Sequence, residues 1–93
     1  MELLEKLKAL KKDLRELYGI EEIAVFGSVA RGEDTPESDI DIVILKMRKK
    51  NAFTIAKAKR FLMEKLNRRV DLGLYNSMNP FIKKIIKKDM INV

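Results

Sequence analysis

Asp39 and Asp41 open an apolar run that reads Asp-Ile-Asp-Ile-Val-Ile-Leu. In a strand, side chains alternate between faces, so both carboxylates fall on one side and Ile40, Ile42 and Ile44 on the other. Two carboxylates on one face repel each other unless a cation lies between them. Oxygen-only ligands of this kind suit a hard ion such as Mg2+. Upstream, at the end of another apolar run, stand Gly27 and Ser28. Glycine lets the backbone approach a ligand closely. A helical turn that starts after a strand presents unpaired N–H groups, which bind phosphate oxygens, and Ser28 adds a hydroxyl donor. Taken alone, the pair also reads as a strand-to-helix turn with Ser28 as its N-cap. The two carboxylates that follow favour the phosphate cradle. It is not a P-loop, because no Gly-Lys-Ser/Thr ends the turn.

Three further residues could serve this chemistry. Arg31 either reaches a phosphate or pairs with Glu33, Asp34 or Glu37. Ser38 could hold the loop of residues 33–38 against the Gly27 turn through its hydroxyl. Asp71 lies in the short apolar stretch 69–74, where an acidic residue costs free energy unless it is solvated or paired. A salt bridge to Arg69 or a nearby lysine would satisfy it. So would a place beside Asp39 and Asp41 in a three-carboxylate site, if the two strands are neighbours.

The pattern Gly27-Ser28, Arg31-Gly32, a loop, then Ser38-Asp39-Ile40-Asp41 resembles the signature of the polymerase-β-like nucleotidyltransferases. It is closest to their small members, the minimal nucleotidyltransferase (MNT) domains, and the likeness extends over nearly the whole chain. The resemblance implies transfer of AMP from ATP to a hydroxyl with two Mg2+ ions. It implies Asp39, Asp41 and Asp71 as catalytic metal ligands, and Gly27, Ser28, Arg31 and Ser38 on the nucleotide side. MNT proteins are often paired with a helical HEPN ribonuclease toxin, so it also implies an antitoxin that adenylylates a toxin tyrosine. Two alternatives stay open: an antitoxin that works by binding alone, and a transferase for a small-molecule or nucleic-acid acceptor.

The elements that must position these residues follow from periodicity and caps. Residues 1–18 carry Leu3, Leu7, Leu10, Leu14 and Leu17 at helical spacing, with Gly19 as a C-cap. Strands are expected at 22–26, 40–45, 69–74 and 90–93, with a short helix from Ser28. Asn51 caps a helix to Leu66 whose buried stripe is Ile55, Ala58, Leu62, Met63 and Leu66. Asn79-Pro80 starts a last helix that buries Phe81, Ile82, Ile85 and Ile86. The expected fold is α/β (α+β) and nucleotidyltransferase-like. It is a small mixed sheet of three to four strands with helices packed on it, in the order α-β-α-β-α-β-α-β.

Composition narrows the chemistry further. The chain has 93 residues, no Cys and no His, so thiolate metal sites and the commonest general base are excluded. A hydrophobic fraction of 46% suffices for a core, and residues 1–93 read as one domain. No apolar run approaches a membrane span of ~20 residues. No signal peptide is visible, so a soluble, cytoplasmic protein is expected. Twenty Lys and Arg against 14 Asp and Glu leave a net charge of +6. That excess is either a solvated surface or an attraction for a nucleotide, RNA or an acidic protein face. The run from Lys46 to Lys50 is read the same two ways.

Overall fold

The computed structural model describes residues 2–93. Helix α1 (Glu2–Tyr18) buries Leu7 and Leu14. It stops at Gly19, which adopts φ +68° and donates its N–H to the carbonyl of Arg15 at 3.0 Å. Left-handed backbone of this kind is the usual role of glycine past a helix end. Strand β1 (Ile20–Phe26) leads through the 27–39 loop to β2 (Ile40–Met47). Asn51 caps α2 (Ala52–Leu66) by accepting from the N–H groups of Phe53 and Thr54 at 2.8 and 3.3 Å. Strand β3 (Val70–Leu74) and a 3-10 turn (Tyr75–Ser77) follow. Helix α3 (Pro80–Asp89) is capped by Asn79, which accepts from the N–H of Ile82 at 2.9 Å, and β4 (Ile91–Asn92) closes the chain.

The strands form one mixed sheet in the order β3-β2-β1-β4. β1 pairs antiparallel with β2 and β4, and β2 pairs parallel with β3. A parallel pair needs a crossover, which α2 supplies. Helices α1 and α2 cover one face. There Ile23, Val25, Ile40, Ile42, Ile44, Val70 and Leu72 meet Leu7, Leu14, Ala58 and Leu62 in the main core. The other face has a much smaller cluster, built on Ala24, Val43 and Ile86.

Two expectations need correction. Residues 28–32 form consecutive hydrogen-bonded turns rather than a helix, so β1 and β2 are not separated by one. Gly27 at φ +73° and Gly32 at φ +72° bracket the segment in left-handed backbone, which a helix cannot continue through. The second concerns α3. Only Ile86 is buried, while Phe81, Ile85 and Ile82 are 71%, 49% and 38% exposed. The sheet face below offers only the small side chains of Ala24 and Val43 at its centre. A single helix lying across it inserts one residue and leaves the rest of its apolar stripe in solvent.

Candidate active site

The sheet register brings the acidic residues together. Asp41 of β2 pairs directly with Asp71 of β3, and Ile40 with Val70. Side chains of paired residues stand on the same face. Asp39 immediately precedes β2, and the ladder reaches up to it, because the N–H of Ile40 donates to the carbonyl of Arg69 at 2.9 Å. On the other flank β1 places Phe26 opposite Asp41, and Gly27 follows. The Asp41 carboxylate packs so close to Gly27 that a Cβ there would overlap its Oδ2. The glycine is therefore required twice, for its left-handed backbone and for the space its missing side chain leaves to Asp41.

The turn after Gly27 is held by its own backbone. The N–H groups of Arg31, Gly32 and Glu33 donate to the carbonyls of Gly27, Val29 and Ser28 at 3.2, 3.1 and 2.9 Å. The preceding N–H groups, of Ser28, Val29 and Ala30, are not used by these turns. They are positioned like the first donors of a helix, the arrangement that suits an anion. Val29 is fully buried in the main core and fixes the turn to the sheet.

Burial pushes the Asp41 carboxyl above its ordinary range, and the charges of Asp71 and Asp39 push it further, while Arg31 opposes them. The three carboxylates thus repel one another across the end of the sheet. Among the described residues, no three acidic side chains are drawn close enough to grip a metal ion as they stand. Asp39 instead lies 3.0 Å from the Nε of Arg69, with side chains 51% and 74% exposed. Such an exposed pair contributes about 0–1 kcal/mol, so it resists the release of Asp39 only weakly. The donor set fits a hard divalent cation: oxygens only, on one face, with a partly buried carboxylate whose charge has too little compensation.

Arg31 donates from Nε to Glu33 at 2.6 Å and from Nη1 to Asp89 at 2.9 Å. Glu33 was one of the expected partners. Asp89, at the C-terminal end of α3, was not, and a separation of 58 residues gives no local sign of it. Ser38 works within its own loop. Its hydroxyl accepts from the Thr35 N–H at 3.0 Å and shares a hydrogen bond with the Thr35 hydroxyl at 3.1 Å. It does not bridge to the Gly27 turn as expected.

That loop is anchored by Arg68, which the sequence did not single out. Its guanidinium reaches Asp34 at 3.1 Å and the carbonyls of Thr35 and Ser38 at 2.9 Å each. Arg69 adds a bond to the Glu37 carbonyl at 3.1 Å. The only local signal was two arginines preceding an apolar strand. Arg68→Ala is expected to cost about 1.5–3 kcal/mol, the range for hydrogen bonds to charged groups. It should also speed amide exchange across residues 34–38. Unchanged exchange there would mean that the loop holds itself.

The sequence profile of the nucleotidyltransferase domain family matches residues 7–93. Protein adenylyltransferase MntA of Thermococcus cleftensis is 36% identical over 87 residues, covering 94% of this chain and 88% of that protein. A Methanocaldococcus jannaschii protein, whose name assigns it the same activity, is 40% identical over 93 residues, covering 99% of this chain and 95% of its own. Among solved structures, one described as a minimal nucleotidyltransferase superposes with TM-score 0.81 at 26% identity, covering 99% of this chain and 94% of that one. Another is a tri-AMPylated Shewanella oneidensis HEPN toxin in complex with MNT antitoxin. It superposes with TM-score 0.70 at 22% identity, covering 99% of this chain and 71% of that one, a likeness of fold.

Proposed function

The chain belongs to the nucleotidyltransferase domain family, and we propose that it is the antitoxin of a HEPN-type toxin, transferring AMP from ATP to a tyrosine hydroxyl of that partner. The observation that carries this reading is the register pair Asp41–Asp71, with Asp39 two residues before Asp41, facing the Gly27 turn. Close relatives named as protein adenylyltransferases support the chemistry. The fold of a toxin-bound MNT antitoxin supports the partner. So does the exposed apolar stripe of Phe81, Ile82 and Ile85, a surface of the kind that partners cover.

In this reading Asp39, Asp41 and Asp71 would hold two Mg2+ ions, which would neutralise triphosphate charge and make the acceptor hydroxyl more acidic. The chain's own groups do the rest. The free N–H groups after Gly27 and the Ser28 hydroxyl hold phosphate oxygens. Arg31 can exchange its exposed carboxylate partners for the triphosphate. The acceptor oxygen attacks the α-phosphorus; a new P–O bond forms, the bond to pyrophosphate breaks, and Asp71 takes the hydroxyl proton. Catalysis here is positioning and electrostatics, which a protein without His or Cys can supply.

A second reading, neutralisation by binding alone, is favoured by the same apolar stripe and by the Asp39–Arg69 pair. One experiment separates the two. The HEPN toxin is incubated with this protein and α-labelled ATP, and its mass is recorded. Transfer should add mass to the toxin in AMP units. The triple variant Asp39→Asn/Asp41→Asn/Asp71→Asn should add none and should fail to neutralise. A triple variant that neutralises fully without ATP would leave binding as the mechanism.

A further inference from the structure

The basic run at the far end of β2 is not spent on the transfer site. Arg48 follows β2 at the end opposite Asp41, about 23 Å away at roughly 3.3 Å per residue. Two surface hollows meet there. One, of about 510 Å3, is lined by Lys11, Lys12, Arg15 and Arg48, with Glu16 and Glu21 as its acidic members. The other, of about 380 Å3, continues from Arg48 past Leu17, Tyr18 and Gly19 to Lys49 and Thr54. Arg48 donates to the Arg15 carbonyl, and Lys11 to the Val93 carbonyl at 2.8 Å, so both are fixed in place; Arg48 is exposed and Lys11 half-buried. Lys12, Lys49 and Lys50 are exposed.

Two further features distinguish this groove from an ordinary lysine-rich surface. Helix α2 starts here, and its first turn has no acidic residue, while Lys49 and Lys50 precede its N-cap. Asn51 caps this helix start, yet the positive end of its dipole still lies beside two lysines, a placement that an anion would favour. On that same first turn Phe53 is 70% exposed, with the Lys57 ammonium 4.8 Å from its ring centroid. The next residue, Thr54, lines the second hollow beside Lys49, so this turn borders the groove. A basic track beside an exposed aromatic ring is the pairing that single-stranded nucleic acid uses: phosphates along the cations, an unpaired base stacked on the ring. An acidic protein face would satisfy the cations but has no need of the ring.

We propose that this groove binds single-stranded nucleic acid, with the sugar-phosphate backbone along Lys12, Arg48, Lys49 and Lys50 and a base on Phe53. The site is separate from the carboxylates and is occupied whether or not they are loaded. The test is anisotropy of a fluorescein-labelled 20-mer oligouridylate titrated with the full chain in EDTA, from 50 to 300 mM KCl. Four phosphate contacts on a single strand predict a log–log salt slope of about −3. Lys12→Gln/Lys49→Gln/Lys50→Gln is expected to weaken binding at least tenfold and flatten the slope, with AMP transfer unchanged. Phe53→Ala is expected to weaken binding about tenfold with the slope intact, and Phe53→Trp to restore it. Lys84→Gln/Lys87→Gln/Lys88→Gln on α3 loses the same charge and is expected to bind like the parent. The proposal is overturned by no binding, by equal weakening in the α3 control, by indifference to Phe53, or by polyglutamate competing as well as RNA at equal charge. Thermal melts check that each variant is folded before its binding is compared.

Discussion

Asp41→Asn is expected to lower AMP transfer by about 10²–10³-fold or more, the scale of removing one preorganised electrostatic group, while raising the melting temperature of the cation-free protein. The two effects share one cause. Burial, then the charges of Asp71 and Asp39, hold the Asp41 carboxyl above its ordinary pKa. The folded state therefore keeps this proton to higher pH than the unfolded chain does. Its contribution to stability is greatest below the ordinary aspartate pKa and declines as pH rises through the folded value. At neutral pH the ionised carboxylate works against the fold. Asparagine keeps the shape and removes the charge, so the variant should melt a few degrees higher at pH 7 in EDTA. The gap should close towards pH 3. Excess Mg2+ should reverse the order, because a ligand that binds only the folded parent stabilises it by mass action. Melts from pH 3 to 8, with and without Mg2+, read all of this. A variant that melts lower than the parent in EDTA at pH 7 would show Asp41 to be a structural residue rather than one held in place against repulsion.

Gly27→Ala is expected to cost both stability and activity, and Gly32→Ala stability alone. Both glycines have left-handed backbone, at φ +73° and +72°. An L-residue there costs about 1–2 kcal/mol. The difference lies in what a Cβ meets. At Gly32 nothing lies within 4 Å, whereas at Gly27 the Cβ overlaps Asp41 Oδ2. The alanine therefore forces the Asp41 carboxylate away from Asp71 or pushes the turn from β2. A misplacement of about 1 Å at a reacting centre can cost 10²-fold, so label transfer by Gly27→Ala should fall by about that factor. Gly32→Ala should keep most of its rate. Comparable urea midpoints for the two, with activity lost only in Gly27→Ala, would isolate the contact from the strain. Parent-like transfer by Gly27→Ala would mean that the close approach to Asp41 is incidental.

Several features were legible from residues next to one another. Gly19, Asn51 and Asn79 marked helix ends that the structure reproduces to within one residue. The alternation from Asp39 to Ile44 placed carboxylates and isoleucines on opposite faces, and Ile40, Ile42 and Ile44 are indeed core. Caps and strand alternation involve atoms a few bonds apart along the chain, so a short window holds the information. The resemblance carried the family, and with it the expectation that Asp71 stands beside Asp41.

What the tertiary structure alone decided are pairings across long stretches of chain. Arg31 bonds Asp89 over 58 residues, and Arg68 bonds Asp34 over 34. Any of the 20 basic side chains could have met those acids as far as composition goes. The exposed stripe of α3 has the same origin: a hydrophobic period shows which side of a helix is apolar, not how wide a surface the sheet offers it. On that face Ile86 is the one α3 side chain buried with Ala24 and Val43, and Phe26, Leu45, Tyr75, Met78 and Met90 pack around them. Helix faces and strand faces were thus set by local covalent geometry, whereas their partners were chosen by packing and electrostatics between elements distant in the chain.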